Sequence, residues 1–385
     1  MLSLMAGGVI GAAQIGKGAA ALPILQDQFQ LSASAAAWFL SVVSALGAVA
    51  GALLGWLGQA LGFRRQVQLG LLAIGVCSAL GAAAPSAGWL LAARVGEGLG
   101  FVWVVLAAPG LLPELAAPEQ RRLVVGGWGA YMPVGAGLAT LLVPPAVALI
   151  GWRGAWLVDA GLTACVLLTV TRWVPRPAVG SRPPSTAGLV TAVRSWGVLG
   201  LAALFGFYTA QYLALVGLFP SVLVSGGLGL GAAGLVGGLV FLVNAPGNLL
   251  GAALLHRRTP RRLMFVLGSA AMAVTVWGVL NPALPLAVRI ASAMAFSFAA
   301  GLIPSAVFSG VTTLSAGTAS SGASVGLLMQ GSSLGQLLGP PTVVAVGASV
   351  GSWGAEAAAL AVMAAFAGLL GWSWRDPDES GRSDP

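Results

Sequence analysis

Three ionisable side chains sit where charge is expensive: Lys17, Arg94 and Glu97. Lys17 lies near the middle of an apolar run from Leu2 to Leu25. An ionised ammonium at that depth in a bilayer costs at least ~2.5 kcal/mol, so it must face water, a partner or a ligand. Arg94 and Glu97 are three residues apart in another apolar run and share one helix face. The chemistry open to this trio is binding of a polar solute and reversible uptake of a proton. Glu97 is the group that takes up and releases the proton, and Arg94 the group that senses it or the solute. The structural alternatives are a Lys17 paired with a buried carboxylate or snorkelling to the interface, and a static Arg94–Glu97 ion pair.

Uncharged polar residues extend the candidate site. Gln14, Tyr208, Gln211 and Tyr212 lie in the first and seventh apolar runs and can hydrogen-bond a small polar solute or one another's helices. Tyr131, Asn244, Asn248, Gln330 and Gln336 form a further tier. Asp159 and Glu356 read as structural groups near outer helix ends, with Arg153 as a neighbour of the former, and Trp38, Trp103 and Trp128 as core packing. The only histidine, His256, sits beside Arg257 and Arg258. The sequence has no zinc motif, catalytic triad or phosphate-binding Gly-Lys-Ser/Thr loop, so an ATP-driven pump and an intramembrane enzyme are poorly supported, and no cofactor is expected. Cys77 and Cys165 both fall inside apolar runs, where a disulfide is not expected.

Composition dictates what must position these groups. The chain is 385 residues long, 58% hydrophobic and only 7% charged, with a mean hydropathy of +0.93. No soluble fold of this size hides so much apolar surface. The apolar runs are unbroken over the ~20 residues a transmembrane helix needs, which excludes the alternating pattern of a β-barrel. The 57 glycines suit close helix packing in lipid. Twelve spans are expected, at about 3–25, 34–58, 67–85, 88–111, 123–147, 154–173, 196–216, 230–254, 263–280, 285–308, 322–346 and 355–374. The first has no basic leader or trustworthy cleavage site and reads as a retained helix. Residues 174–195, with Pro175, Pro177, Pro183 and Pro184, read as a cytoplasmic linker between bundles 1–173 and 196–374, and 375–385 as a disordered tail. With both termini cytoplasmic, 14 of the 18 Lys+Arg fall on the inner side, among them Arg121, Arg122, Arg176, Arg182, Arg375 and Arg382. The net charge of +8 is thereby explained by topology, and no nucleic-acid partner is implied.

The two halves repeat. Gln14 and Pro23 recur as Gln211 and Pro220, Arg94 as Arg289, Pro109 as Pro304, Pro144-Pro145 as Pro340-Pro341, and Gly51 and Gly55 as Gly247 and Gly251, all at offsets of 195 to 197. Duplicated halves of a membrane protein imply a transporter with its site at the repeat interface near the midplane. Lys17 is not repeated; Ala214 takes its place.

Several motifs resemble the major facilitator superfamily. After span 2, Gly55, Gly62, Arg64 and Arg65 fit that family's gating-loop motif, with Gln59 and Ala60 replacing its acid and base. Arg94-Val95-Gly96-Glu97-Gly98-Leu99-Gly100 resembles its span-4 motif, with Glu97 in place of glutamine, and Gly151-Trp152-Arg153 is a further hallmark. Met132-Pro133-Val134-Gly135-Ala136-Gly137 loosely resembles the antiporter motif, and Met329 to Pro341 resembles the cyanate and nitroimidazole permease-like branch. The resemblance implies an all-α membrane protein of twelve helices in two pseudo-symmetric six-helix bundles, with a central cavity lined by spans 1, 4, 7 and 10. It implies a monomeric secondary transporter of the cytoplasmic (inner) membrane working by alternating access, with a small-molecule substrate, a coupled proton or counter-ion and the lipid bilayer as partners. Lys17 and Arg94 outnumber Glu97 in the expected cavity, which favours an anionic solute. A drug/proton antiporter and a non-transporting membrane sensor are the alternatives.

Overall fold

In lipid every backbone N–H and C=O must be paired within the protein, and this chain meets the demand with helices throughout. The structure is a computed structural model that describes residues 1–115, 128–175, 186–315 and 321–374. Arg121, Arg122, Arg176, Arg182, Arg375, Arg382, the prolines Pro177, Pro183 and Pro184, the tail and the side chain of Gln59 lie outside what it describes. Among the described residues, 11 helices are long and apolar enough to cross a bilayer. One of them, Tyr131–Trp173, is broken at Gly151 (φ 71°, ψ 167°) and makes two crossings, so twelve result.

These are labelled α1 (Leu2–Phe29), α2 (Ala33–Gly58), α3 (Phe63–Ala82), α4 (Ala87–Leu115), α5 and α6 (131–150 and 152–173), α7 (Trp196–Ser225), α8 (Leu230–His256), α9 (Arg261–Leu280), α10 (Leu286–Ser315), α11 (Ser321–Val350) and α12 (Trp353–Ser373). An even number of crossings puts both chain ends on one face, called the terminal face below. Ser32, Ser195 and Ser352 cap the starts of α2, α7 and α12 by accepting from the N–H of Ala35, Val198 and Ala355. The turn between α5 and α6 needs the left-handed backbone of Gly151, and Gly351 (φ 69°) does the same between α11 and α12. The repeat is thus visible in backbone geometry as well as in sequence.

The expected linker is helical in part. Thr186–Arg194 forms a short helix before α7, with Gly188 and Ala192 buried and Val190 and Val193 exposed. Its prolines end at Pro184, so from Thr186 onward every residue keeps its backbone donor.

The two halves meet along two seams. On α2 and α11, Gly51 lies against Gln330 and Gly55 against Gly322 and Gly326. On α5 and α8, the backbones of Gly137 and Gly238 touch, and Gly234 rests on Thr140 and Pro144. The first seam lies toward the terminal-face end of α2, and the second toward the opposite end, at the start of α8. Two irregular turns interrupt the helices near the centre: a 3-10 turn at Val42–Ser44 in α2 and a π-turn at Leu213–Gly217 in α7.

Within the N-terminal half, α1 packs on α5 with Gly16 against the Ala136 carbonyl, leaving no room for a side chain. Gly161, on the lipid-facing side of α6, has open space. Gly16→Ala is therefore expected to lower stability by about 1–3 kcal/mol through overpacking, while Gly161→Ala stays within about 1 kcal/mol of the parent. Thermal unfolding of the purified protein in detergent checks the contrast.

Candidate functional site

Lys17 projects from the middle of α1 into the N-terminal half. Its Nζ donates to Ser78 Oγ on α3, Glu97 Oε1 on α4 and Asp159 Oδ2 on α6, each at 2.8 Å. The three ammonium protons are thus all used, and the cation also lies 4.7 Å from the Trp156 ring centroid. Lys17 is 1% exposed, and Glu97, Arg94 and Ser78 are fully buried. Arg94 Nη1 donates to Glu97 Oε2 at 2.7 Å, one helical turn along α4. Its Nε and Nη2 have no hydrogen-bond partner, with Nη2 against Gly18 and the guanidinium carbon 5.5 Å from the Phe39 ring. Gln14 Nε2 reaches both oxygens of Asp159, at 3.2 and 3.1 Å.

The proton inventory of this knot is informative. Ser78 Oγ lies 2.7 Å from Glu97 Oε1 and 2.7 Å from Asp159 Oδ2. With the three Lys17 contacts, that makes five short polar contacts. Lys17 and Ser78 together bring four protons to these contacts. Ser78 has a single hydroxyl hydrogen, so in any one arrangement it donates to Glu97 Oε1 or to Asp159 Oδ2 and not to both.

Asp159 is the main difference from the sequence reading. It does not approach Arg153, which instead donates to the Ala84 carbonyl at 2.9 Å and lies over Trp152. Asp159 is eight residues past Gly151, which at 1.5 Å per residue places it ~12 Å inside the helix rather than at its end. Lys17 and Arg94 therefore face two carboxylates, and the excess of positive charge expected from sequence is absent from this cluster. Ser78 was also missed, because a lone serine in an Ala/Gly-rich helix carries no sequence signal.

A separate cavity of about 660 Å³, its open mouth included, lies between the halves. It extends from the middle of the bundle toward the terminal face. Phe101 of α4 and Tyr131 and Met132 of α5 form one side; Phe205, Tyr208 and Tyr212 of α7 face them, with Asn244 and Asn248 of α8. Gln336 of α11 also contributes. Among the described residues no charged side chain lines it, and α1 supplies none of the wall. The expectation of a cavity lined by spans 1, 4, 7 and 10 thus holds for three of them, with α5, α8 and α11 added. The polar groups of α1 are drawn instead toward α3, α4 and α6 by the carboxylates and serine there.

The structure accordingly brings Tyr131, Tyr208, Tyr212 and Asn244 to the cavity and keeps Gln14, Lys17, Arg94 and Glu97 in the buried cluster. Gln211 joins neither; it is fully buried and neither side-chain polar atom is hydrogen-bonded. Gln330 spans the seam between halves, its Oε1 accepting from Ala52 N at 3.1 Å and its Nε2 donating to Ala48 O at 3.1 Å. Ser44 Oγ donates across the same seam to Gln336 Oε1 at 2.8 Å. In the loop after α2, Gly62 takes φ 80°. Arg64 caps the end of α6 by donating to the carbonyls of Val174 and Thr171 at 2.8 and 2.7 Å, and Arg65 is exposed. Of that motif, Gly55 contacts the other half, at Gly322 and Gly326. Arg289, the repeat mate of Arg94, donates to Val279 O at 2.9 Å and ties α10 to the end of α9.

Residues 4–340 match the sequence pattern of the Major Facilitator Superfamily. The chain belongs to that superfamily. It is 31% identical over 352 residues to human monocarboxylate transporter 11, covering 83% of this chain and 70% of the relative. It is 25% identical over 290 residues to the Escherichia coli 2-nitroimidazole transporter, covering 72% and 70%. The match to the Salmonella typhimurium methyl viologen resistance protein SmvA is 27% over 169 residues, and it spans only 34% of that relative's length. A crystal structure of a D-xylose-proton symporter superposes with a TM-score of 0.77 at 16% identity, covering 100% of this chain and 98% of the other. At that identity the likeness establishes the shared fold.

The cluster's balance is testable by itself. Lys17→Met leaves two carboxylates buried around Ser78 without their shared cation and is expected to cost about 3–5 kcal/mol. Lys17→Met combined with Asp159→Asn removes one of those charges and is expected to recover most of the loss. Unfolding temperatures of the two variants and the parent, measured in one detergent, provide the check.

Proposed function

We propose that this chain is a proton-coupled secondary transporter for a small polar solute, working by alternating access about the interface between its halves. The Lys17–Ser78–Glu97–Asp159 knot is its proton site, and the aromatic cavity is its solute site. The observation that carries this reading is a pair of buried carboxylates, Glu97 and Asp159, that share one ammonium and one hydroxyl within the membrane-spanning core. Two carboxylates that share one ammonium and one hydroxyl are suited to take up and release a proton as the halves move. Intramembrane carboxylates of this kind mark proton relays. Arg94 links the two sites physically: Arg94 and Phe101 are seven residues apart on one face of α4, and both pack on α1, at Gly18 and Gly11. Phe101 is also a wall of the cavity.

The relatives' names span a monocarboxylate transporter, a galactose-proton symporter and a 2-nitroimidazole transporter, so kinship supports transport without choosing the solute. A second reading, an anionic solute, draws on the unpaired Nε and Nη2 of Arg94, which lie in the buried cluster and not in the cavity wall. On the basic bias of the terminal face, carried here by Arg64, Arg65, Arg172, Arg194, Arg257 and Arg258, we place that face in the cytoplasm.

In proteoliposomes with an imposed pH gradient, acetate, galactose, 2-nitroimidazole and methyl viologen serve as radiolabelled probes. The expected result is gradient-driven movement of at least one probe by the parent. Glu97→Gln and Ser78→Ala are expected to retain exchange of that probe at equal pH while losing accumulation. Flux in the parent that ignores the pH gradient would falsify proton coupling.

A further inference from the structure

The cavity has a more specific chemistry than its family membership implies, and the inference drawn from it rests on that cavity being the solute site. Its C-terminal-half wall is a ladder of rings on one face of α7. Phe205 and Tyr208 are parallel, with centroids 5.6 Å apart and an interplanar angle of 3°. Tyr208 and Tyr212 follow at 5.7 Å and 23°. Across the cavity stand Phe101 and Tyr131 from the other half. Tyr131 is held by stacking on Trp128, with centroids 4.5 Å apart. Two aromatic walls belonging to the two moving halves thus face each other across the space a solute would fill.

The polar floor of this space is fixed in direction. Asn244 Nδ2 donates to the Ser297 carbonyl at 2.8 Å, which leaves its Oδ1 as an acceptor. Asn248 answers it with Nδ2, at 2.7 Å. The chain of amides therefore ends on Asn248 Oδ1, an acceptor without a partner on a residue that is 5% exposed and lines the cavity. An unpaired buried carbonyl oxygen is costly until a donor reaches it. A carboxylate offers only acceptors and meets repulsion there; an N–H or O–H completes the relay.

We propose that the cavity takes a planar, uncharged aromatic or heteroaromatic solute, held between the ring walls of the two halves and donating a hydrogen bond to Asn248 Oδ1. A π-face on both sides matches the preference of aromatic rings for offset stacking and edge contacts. Because the walls come from different halves, the ring bridges the interface that must move, and its occupancy bears on their relative position.

Equilibrium binding to the detergent-purified full chain tests this, read by calorimetry and by ligand-induced rise in unfolding temperature. Four neutral planar donors serve as probes: nicotinamide, uracil, adenine and benzimidazole. Nicotinate keeps a ring but replaces the amide donor with a carboxylate; cyclohexanecarboxamide keeps the amide but has no π-face. At least one planar donor is expected to bind, with nicotinate and cyclohexanecarboxamide about tenfold or more weaker. Asn248→Leu is expected to weaken the bound probe about tenfold, and Phe205→Leu, which keeps an apolar wall without the ring face, about threefold to tenfold. The proposal is overturned if none of the four planar donors binds, if nicotinate or cyclohexanecarboxamide binds as tightly as they do, or if a folded Asn248→Leu protein keeps parental affinity. Binding needs no gradient, so failure here beside intact proton-driven flux rejects the ring class alone. Binding without gradient-driven flux rejects the coupling alone.

Discussion

The N-terminal half depends on how Lys17 is solvated. A buried ammonium without partners is far too costly in a bilayer, so three acceptors must converge on it. They come from three different helices, Ser78 on α3, Glu97 on α4 and Asp159 on α6, and each distance is 2.8 Å. Such convergence requires the helices to approach α1 closely, and the small residues along them permit it: Gly11 meets Phe101, Gly18 meets Arg94, and Gly16 meets the Ala136 backbone. The composition that looks monotonous in sequence is what lets one charged knot organise four helices.

Duplication gave the two halves the same scaffold but not the same chemistry. Gly151 and Gly351 make equivalent turns, and Gln14 and Gln211 occupy equivalent places. Yet Gln14 steadies Asp159, while the Gln211 amide is buried without a partner and Ala214 stands where Lys17 would be. The C-terminal half carries rings and amides at the cavity in place of the ionic knot. A division of labour follows, with charge held in one half and most of the cavity wall in the other. Gln330, bonded to the backbone of α2, and Ser44, bonded to Gln336, hold the halves together along one seam. These bonds must break wherever that seam opens.

Hydropathy, charge asymmetry and the 195-to-197 offsets made the twelve crossings, the duplication and the membrane class legible without coordinates. They also singled out Lys17, Arg94 and Glu97, because a charge inside an apolar helix is conspicuous in any linear reading. Neighbours on other helices are not legible in this way. Asp159 looked peripheral because its depth depends on where the α5–α6 turn falls, and that turn is set by Gly151. The anionic expectation rested on counting charges along the chain, and one carboxylate arriving from α6 balanced the count.

The sequence by itself determined how many times the chain crosses the bilayer and which residues cannot be left facing lipid, since both follow from the local cost of desolvating a segment or a side chain. Only the tertiary structure decided which acceptors Lys17 uses, that Gln330 grips a helix backbone, and that the cavity is ringed by aromatic and neutral groups. Those outcomes depend on the rotation and depth of each helix against its neighbours. In a chain whose glycines permit many such packings, periodicity along one helix carries no information about the face another helix presents to it.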